Sequence, residues 1–277
     1  MRLGISVRYS LAKGSGLSNR QLLPLVEKST IDDIELDPSI EEKEMEWIVR
    51  FLENSRLRLW SVHGLAGHEP ISSLSQEIRR KAMEKAQRTI EVAGDLGAHV
   101  VVLHASDEPI AEPKRAEQIA HAKKSLAALV PVAQRANLIL AVELLPRTCL
   151  GNSLPELVNL LDGLPRDRVG ICLDTNHVKV ATTLPKLIHT LGRDLITLHI
   201  SDFDGVDERH WLPGKGIIDW PAVWNALREI RYDGPWLYES GAIHDDPEAN
   251  IHMIEENFIH WRTLADEIKN GRLCEKG

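Results

Sequence analysis

Along this 277-residue chain, eight short β-like runs alternate with longer stretches of helical period from end to end. The runs are Leu3–Val7, Asp33–Leu36, Leu57–Val62, His99–His104, Leu138–Glu143, Gly170–Asp174, Leu195–Ile200 and Pro235–Glu239. Amphipathic segments fall between and after them, near 19–28, 40–54, 73–95, 114–136, 153–162, 183–191, 220–230 and 247–269. Eight strand–helix units in about 250 residues match the size and pattern of an α/β chain closed into a (β/α)8 TIM barrel. A doubly wound open sheet is the rival, but no Gly-x-Gly-x-x-Gly follows the first strand. The punctuation agrees with the barrel. Gly97 and Asn137 stand where a helix wants a left-handed C-terminal residue. Asp219 before Pro221, and Asp246 before Pro247, read as helix starts. No low-complexity tract or linker interrupts the pattern, so residues 1–277 are expected to form one barrel domain.

The ends of these runs carry the chemistry. Val62-His63, Leu103-His104, Val142-Glu143, Leu173-Asp174, Leu198-His199 and Tyr238-Glu239 each pair an apolar residue with an ionisable one. Successive strand residues face opposite sides, so the apolar member faces the helices and the ionisable member points into the barrel. Two residues back on the inward face stand Ser61, Val102, Ala141, Cys172, Thr197 and Leu237, mostly small or medium in size. The ionisable positions are 41, 39, 31, 25 and 40 residues apart, about one strand–helix unit each. Three histidines, two glutamates and an aspartate are thereby expected at the C-terminal mouth, where such barrels carry their sites.

A lone histidine at a strand end is usually a solvated surface residue, and a lone buried glutamate usually pairs with Arg or Lys. The strand ends here offer no matching base apart from Arg147 or Lys179 nearby, and six positions in phase argue against coincidence. Three carboxylates and an imidazole sharing one mouth need a cation. Carboxylate and imidazole donors suit Mn²⁺, Zn²⁺, Co²⁺ or Mg²⁺. The expected ligands are Glu143, Asp174, His199 and Glu239. His177, just past Asp174, is placed to reach a substrate hydroxyl or a second metal.

The stretch from Asp202 to Gly216 is too long for a tight turn, and long loops in compact domains tend to be functional. Its Arg209, His210 and Lys215 could bind hydroxyls or a phosphate, while Pro213-Gly214-Lys215-Gly216 also reads as a plain turn. Glu35 and Asp37 either line the mouth or form a solvated strand end. Trp211, Trp220 and Trp224 read as packing residues rather than a sugar platform. Cys172 reads as a small inward filler, because neighbouring anions oppose thiolate formation.

Bulk composition bounds the rest. The net charge of −8 gives no support for a polyanionic partner, so nucleic acid is not favoured. Cys149, Cys172 and Cys274 are too unevenly spaced for a disulfide framework or a Cys-x-x-Cys zinc site, which fits a reducing cytosol. Nothing resembles a secretory signal, and no apolar run reaches the ~18–20 residues of a membrane span. A cytoplasmic location is therefore expected, and a homo-oligomer is compatible with it.

These features together resemble the xylose isomerase-like barrels. That superfamily groups sugar and sugar-phosphate isomerases and epimerases with apurinic endonucleases of the endonuclease IV type. The resemblance is carried by Ser61-Val-His63, His104, Glu143, Asp174-Thr-Asn-His177, His199-Ile-Ser-Asp202, His210-Trp-Leu-Pro-Gly-Lys-Gly216 and Glu239. It implies that Glu143, Asp174, His199 and Glu239 are metal ligands, that Glu143 and Glu239 are also the acid/base pair, and that His177 contacts substrate. His63, His104, Arg209 and His210 join His177 as candidate substrate-binding residues. The implied chemistry is proton transfer between the two glutamates through a cis-enediolate, giving isomerisation or epimerisation of a sugar or sugar phosphate. A related dehydratase would expel a β-hydroxyl from a similar enolate.

The endonuclease branch uses three zinc ions, and the resemblance carries extra zinc sites onto His63, His104, His177, Glu208 and His210. Against that branch, Glu208 stands where it has aspartate, and no Lys/Arg-rich loops with interleaved aromatics are present to grip a duplex. A non-catalytic barrel that senses a sugar or metal is a third class, disfavoured by the retained glutamate pair.

Overall fold

The computed structural model describes residues 1–12, 14, 16–37, 40, 42–64 and 70–269. Its eight strands are β1 (Leu3–Ser6), β2 (Asp33–Leu36), β3 (Arg58–His63), β4 (Val100–Leu103), β5 (Ile139–Glu143), β6 (Val169–Asp174), β7 (Leu195–His199) and β8 (Trp236–Tyr238). Strands pair in parallel in the order β7-β6-β5-β4-β3-β2-β1-β8. The ring closes just past β7, where Ile200 N donates to Leu237 O at 2.8 Å and Glu239 N to Ile200 O at 3.0 Å. This is the (β/α)8 TIM barrel read from the alternation.

The helices are α1 (Val7–Ala12), α2 (Asn19–Glu27), α3 (Glu42–Glu53), α4 (Gln76–Asp95), α5 (Glu112–Arg135), α6 (Leu154–Leu161), α7 (Leu184–Leu191), α8 (Trp220–Glu229) and α9 (Pro247–Lys269). Helix α1 follows β1 directly and was not legible, because six residues are too few to show a period. Asp219 caps α8 through Ala222 N at 3.0 Å, and the chain leaves α4 and α5 through Gly97 (φ 75°) and Asn137 (φ 56°). At these two residues it turns left-handed, a region open to Gly and tolerated by Asn.

Strand alternation sorts the core into two layers. Val62, Leu103, Val142, Leu173, Leu198 and Tyr238 all join the main core between strands and helices. Val102, Ala141 and Cys172 join Val100 in a separate small cluster inside the barrel, with Trp60 and Ile196 against it. Trp60 donates its Nε1–H to Thr197 Oγ1 across the ring at 3.0 Å. Burying each larger aliphatic side chain is worth about 1.5–3 kcal/mol, so an apolar-facing residue before each ionisable one holds the inward orientation of the latter.

Trp220 and Trp224 are buried, as expected of packing residues, whereas Trp211 is 39% exposed. Cys149 and Cys172 are buried free thiols, and Cys274 lies outside the described residues. Among the described residues no helix is long and apolar enough to cross a membrane.

Candidate active site

At the C-terminal ends of the strands the ionisable residues meet. His199 Nδ1 lies 3.5 Å from Glu143 Oε1 and 3.3 Å from Glu239 Oε2. Asp174, His199 and Glu239 bring one donor atom each within 4.8 Å of one another, and so do Glu143, Asp174 and His177. Asp174 and His199 are 0% exposed, Glu143 1% and Glu239 6%. The short turn Thr175–His177 is capped by Asp174, whose Oδ1 accepts from Asn176 N at 2.7 Å, leaving Oδ2 without a hydrogen bond.

Imidazoles surround the acids. His63 Nε2 and His104 Nε2 converge on Glu143 Oε2 at 3.3 and 3.0 Å, while His177 Nδ1 lies 3.3 Å from Glu143 Oε1 and 3.4 Å from Asp174 Oδ2. His177 Nδ1 also lies 2.9 Å from the Leu144 carbonyl, which can only accept, so Nδ1 carries the proton and Nε2 faces outward. His210 packs its ring 5.1 Å from Tyr9, with Nδ1 3.3 Å from the Glu239 carbonyl.

Electrostatics follow from that crowding. Burial pushes the Glu239 carboxyl up to about 7, although His199 and His63 oppose the rise. Burial acts the same way on Glu143, but His104 and His199 outweigh it and hold the carboxyl well below its usual range. Burial alone would depress His63 and His177, yet Glu143 raises the first to about 9, and Asp174 with Glu143 raises the second to about 10. A negatively charged nest is gathering positive charge.

The donor set suits a divalent cation on this geometry. His199 Nδ1 and Asp174 Oδ2 are buried and lack hydrogen-bond partners. Separations of 3.3–3.5 Å between His199 Nδ1 and the two glutamate oxygens match donor atoms each about 2.1 Å from a common ion near the tetrahedral angle. Buried polar atoms rarely stay unpaired, and converging oxygen and nitrogen lone pairs call for a positive charge among them, which a bound cation or protonated imidazoles can supply.

The loop after β7 is organised from below by Asp202. Its buried carboxylate accepts from Gly214 N (2.8 Å), Ile218 N (3.3 Å) and Trp220 Nε1 (2.9 Å), so the Pro213–Gly216 turn has a structural explanation. A Cβ on Gly216 would fall 2.1 Å from the Phe203 carbonyl. The loop delivers His210 to the cluster and brings Glu208 Oε2 within 3.7 Å of His177 Nε2. It turns Arg209 away, bonded to Asp204 at 2.7 Å, and leaves Lys215 exposed in a cleft beside His260 and Trp261 of α9. Arg147 bridges loops rather than strand ends, pairing with Glu108, Asp207 and Glu208.

Two clefts open on the cluster. One of about 320 Å³ is lined by Arg8, Tyr9, Asp37, His63 and Glu239, with Arg8 and Asp37 paired at 3.2 Å. The other, about 230 Å³, is lined by Arg147, His177, Lys179, Phe203 and Glu208. Of the two residues ending β2, Asp37 thus lines the mouth, while Glu35 lies deeper, 3.1 Å from His199 Nε2. Ile34-Glu35 repeats the apolar–ionisable pairing of the other strands, a signal that could have placed Glu35 inside. Arg8 and Tyr9 carried no comparable signal, since they lie on the short helix α1.

Among curated proteins, the chain is 28% identical over 189 residues to an uncharacterized protein of Methanocaldococcus jannaschii, covering 64% of each. It is 29% identical over 145 residues to a D-psicose 3-epimerase of Enterocloster bolteae, covering 50% of this chain and 46% of that one. The match therefore spans less than two thirds of either relative's length. A solved structure described as a D-tagatose 3-epimerase-like protein superposes with a TM-score of 0.82 at 22% identity, over 96% of this chain and 99% of that chain. The family described as xylose isomerase-like TIM barrel matches residues 24–258. With strand-end acids and imidazoles gathered at the C-terminal mouth of eight parallel strands, the chain belongs to the xylose isomerase-like TIM barrel family.

Proposed function

We propose that this protein is a divalent-metal-dependent isomerase or epimerase of a sugar or sugar phosphate, with Glu143, Asp174, His199 and Glu239 holding one cation. The observation that carries the reading is the pair of buried atoms without hydrogen bonds, His199 Nδ1 and Asp174 Oδ2, facing the glutamates across a few ångströms. The names of similar proteins, among them the D-psicose 3-epimerase and a ketose 3-epimerase of Arthrobacter globiformis, support the substrate class. When bound, Mn²⁺, Zn²⁺, Co²⁺ or Mg²⁺ would supply Lewis-acid polarisation of a carbonyl and its neighbouring hydroxyl.

The residues of the chain do the rest. Glu143 and Glu239 rise from β5 and from just past β8, on different sides of the ring. One takes the proton from the carbon beside the carbonyl, and the other returns a proton to the resulting cis-enediolate. Return to the same carbon from the opposite face epimerises it; return to the neighbouring carbon isomerises. His63 and His104 hold Glu143 Oε2 and so keep its carboxylate in one orientation. His177 and His210, at the same mouth, are placed to hold substrate hydroxyls, and the cleft beside Tyr9 and His63 gives the sugar a seat.

The test is a panel of ketoses and their phosphates incubated with the Mn²⁺-loaded protein in D₂O. Deuterium at the carbon next to the carbonyl supports the reading; turnover to an unsaturated product marks the dehydratase variant. A second reading, zinc-dependent cleavage at abasic sites, draws on His177, Glu208 and His210, whose donor atoms lie within 4.8 Å of one another. Nicking of abasic duplex DNA with no sugar exchange would replace the first reading with the second.

A further inference from the structure

We propose that Glu35 is a positioning residue for His199: it accepts the Nε2–H and thereby presents Nδ1 to the acid cluster. The inference rests on the reading that Glu143, Asp174, His199 and Glu239 hold a cation. Glu35 is fully buried inside the barrel at the end of β2. Its Oε2 accepts from Ser61 Oγ at 2.7 Å and lies 3.1 Å from His199 Nε2.

A carboxylate oxygen can only accept, so the proton of that contact sits on Nε2. Nδ1 is then the atom that faces Glu143 Oε1 and Glu239 Oε2. Without Glu35 the ring could flip, or carry its proton on the other nitrogen, at little cost. With Glu35 both choices are removed before any ion arrives. Carboxylates that hold the far nitrogen of a metal-binding imidazole typically change metal affinity about 10–100-fold.

Local structure shows that this placement is built. The β2–β3 register shifts between Ile34 and Glu35, and the shift sets Ser61 directly opposite Glu35. Ser61 thus anchors the carboxylate that anchors the imidazole. An acid wholly inside a barrel is costly to desolvate, and only one of its oxygens is paired. Glu35 also lies near His63 and Glu239, so direct ligation is the competing role.

The experiment strips wild type, Glu35→Gln, Glu35→Ala and Ser61→Ala of metal, then titrates each with Zn²⁺ against a fluorescent chelator. Melting of each metal-free protein is recorded alongside. Wild type should bind one ion per chain. Both Glu35 variants should still bind one ion but about 10–100-fold more weakly, Ser61→Ala should lose a smaller factor, and kcat at saturating metal should recover to within a few-fold. Affinity unchanged within twofold in Glu35→Ala and Ser61→Ala overturns the proposal. So does a Glu35→Gln protein that binds no ion while Ser61→Ala binds normally, which makes Glu35 a ligand. A role confined to stability, with metal-free melting lowered and affinity unmoved, also overturns it. Should Glu35→Ala not fold, Glu35→Gln and Ser61→Ala decide. A wild type that binds no ion defeats the underlying metal reading, and that failure is recognised before any variant is compared.

Discussion

His199 Nδ1 stands 3.3 Å from Glu239 Oε2, and no hydrogen bond links them. Removing bound metal should therefore leave the buried acids balanced by protonated imidazoles alone. We expect EDTA-treated protein to melt lower than protein given Mn²⁺, Co²⁺ or Zn²⁺, the difference growing with metal concentration. At a hundredfold excess over Kd, binding contributes about 2.7 kcal/mol. Melting curves that ignore all three ions would remove the basis for a metal centre.

Glu143→Gln and Glu239→Gln should each lower kcat by roughly 10²–10⁴-fold, the usual worth of a positioned acid or base. Neither should unfold the protein, since each amide keeps the shape of the acid it replaces. Far-UV circular dichroism and the metal-free melting temperature check the second half of the expectation. Retained turnover in either variant would exclude that glutamate from proton transfer.

Arg209 and His177 offer a direct contrast in substrate contact. The Arg209 guanidinium bonds Asp204 at 2.7 Å inside its own loop, whereas His177 lies 3.3 Å from Glu143. His177→Gln is expected to raise KM or lower kcat by at least tenfold, a loss of ~1.4 kcal/mol. Arg209→Gln should change KM by less than about threefold, or ~0.6 kcal/mol. Steady-state kinetics on whichever ketose turns over decides between them, and a large Arg209 effect would mean that the loop rearranges on binding.

Asp202→Ala should destabilise the fold. It removes the acceptor for Gly214 N, Ile218 N and the buried Trp220 indole, and leaves these donors unpaired. A loss of about 2–4 kcal/mol is expected, read from urea unfolding midpoints. Gly216→Ala should also be destabilising, because the added methyl meets the Phe203 carbonyl at 2.1 Å.

Cys149 carries a pH signature. Burial, reinforced by Glu108, pushes its thiol up to about 11, against roughly 8.5 in an unfolded chain. Between those values the unfolded chain ionises and the folded one does not, so this group's contribution to stability is intact below pH ~8.5 and declines as pH rises toward 11. At pH 8 about one molecule in a thousand carries the thiolate, by the same two-state titration. Iodoacetamide should leave Cys149 unmodified in the folded protein at pH 8 and modify it in urea, as read by peptide mass spectrometry. Fast labelling without denaturant would show that the site opens.

The sequence by itself determined the barrel and the six strand-end acids and imidazoles of its mouth. Apolar–ionisable pairs at strand ends recur once per strand–helix unit, and the two-residue period of a strand leaves each ionisable side chain only the inward face once its neighbour packs against a helix. Tertiary structure alone decided which atoms meet. That His63 and His104 both address one oxygen of Glu143 depends on how β3, β4 and β5 stack side by side. That Asp202 anchors its loop depends on how that loop folds back, and that Glu35 sits beneath His199 depends on ring closure and the β2–β3 register shift. These contacts join residues up to 164 positions apart. Local periodicity carries no term for such distances, whereas the stagger of eight closed strands does.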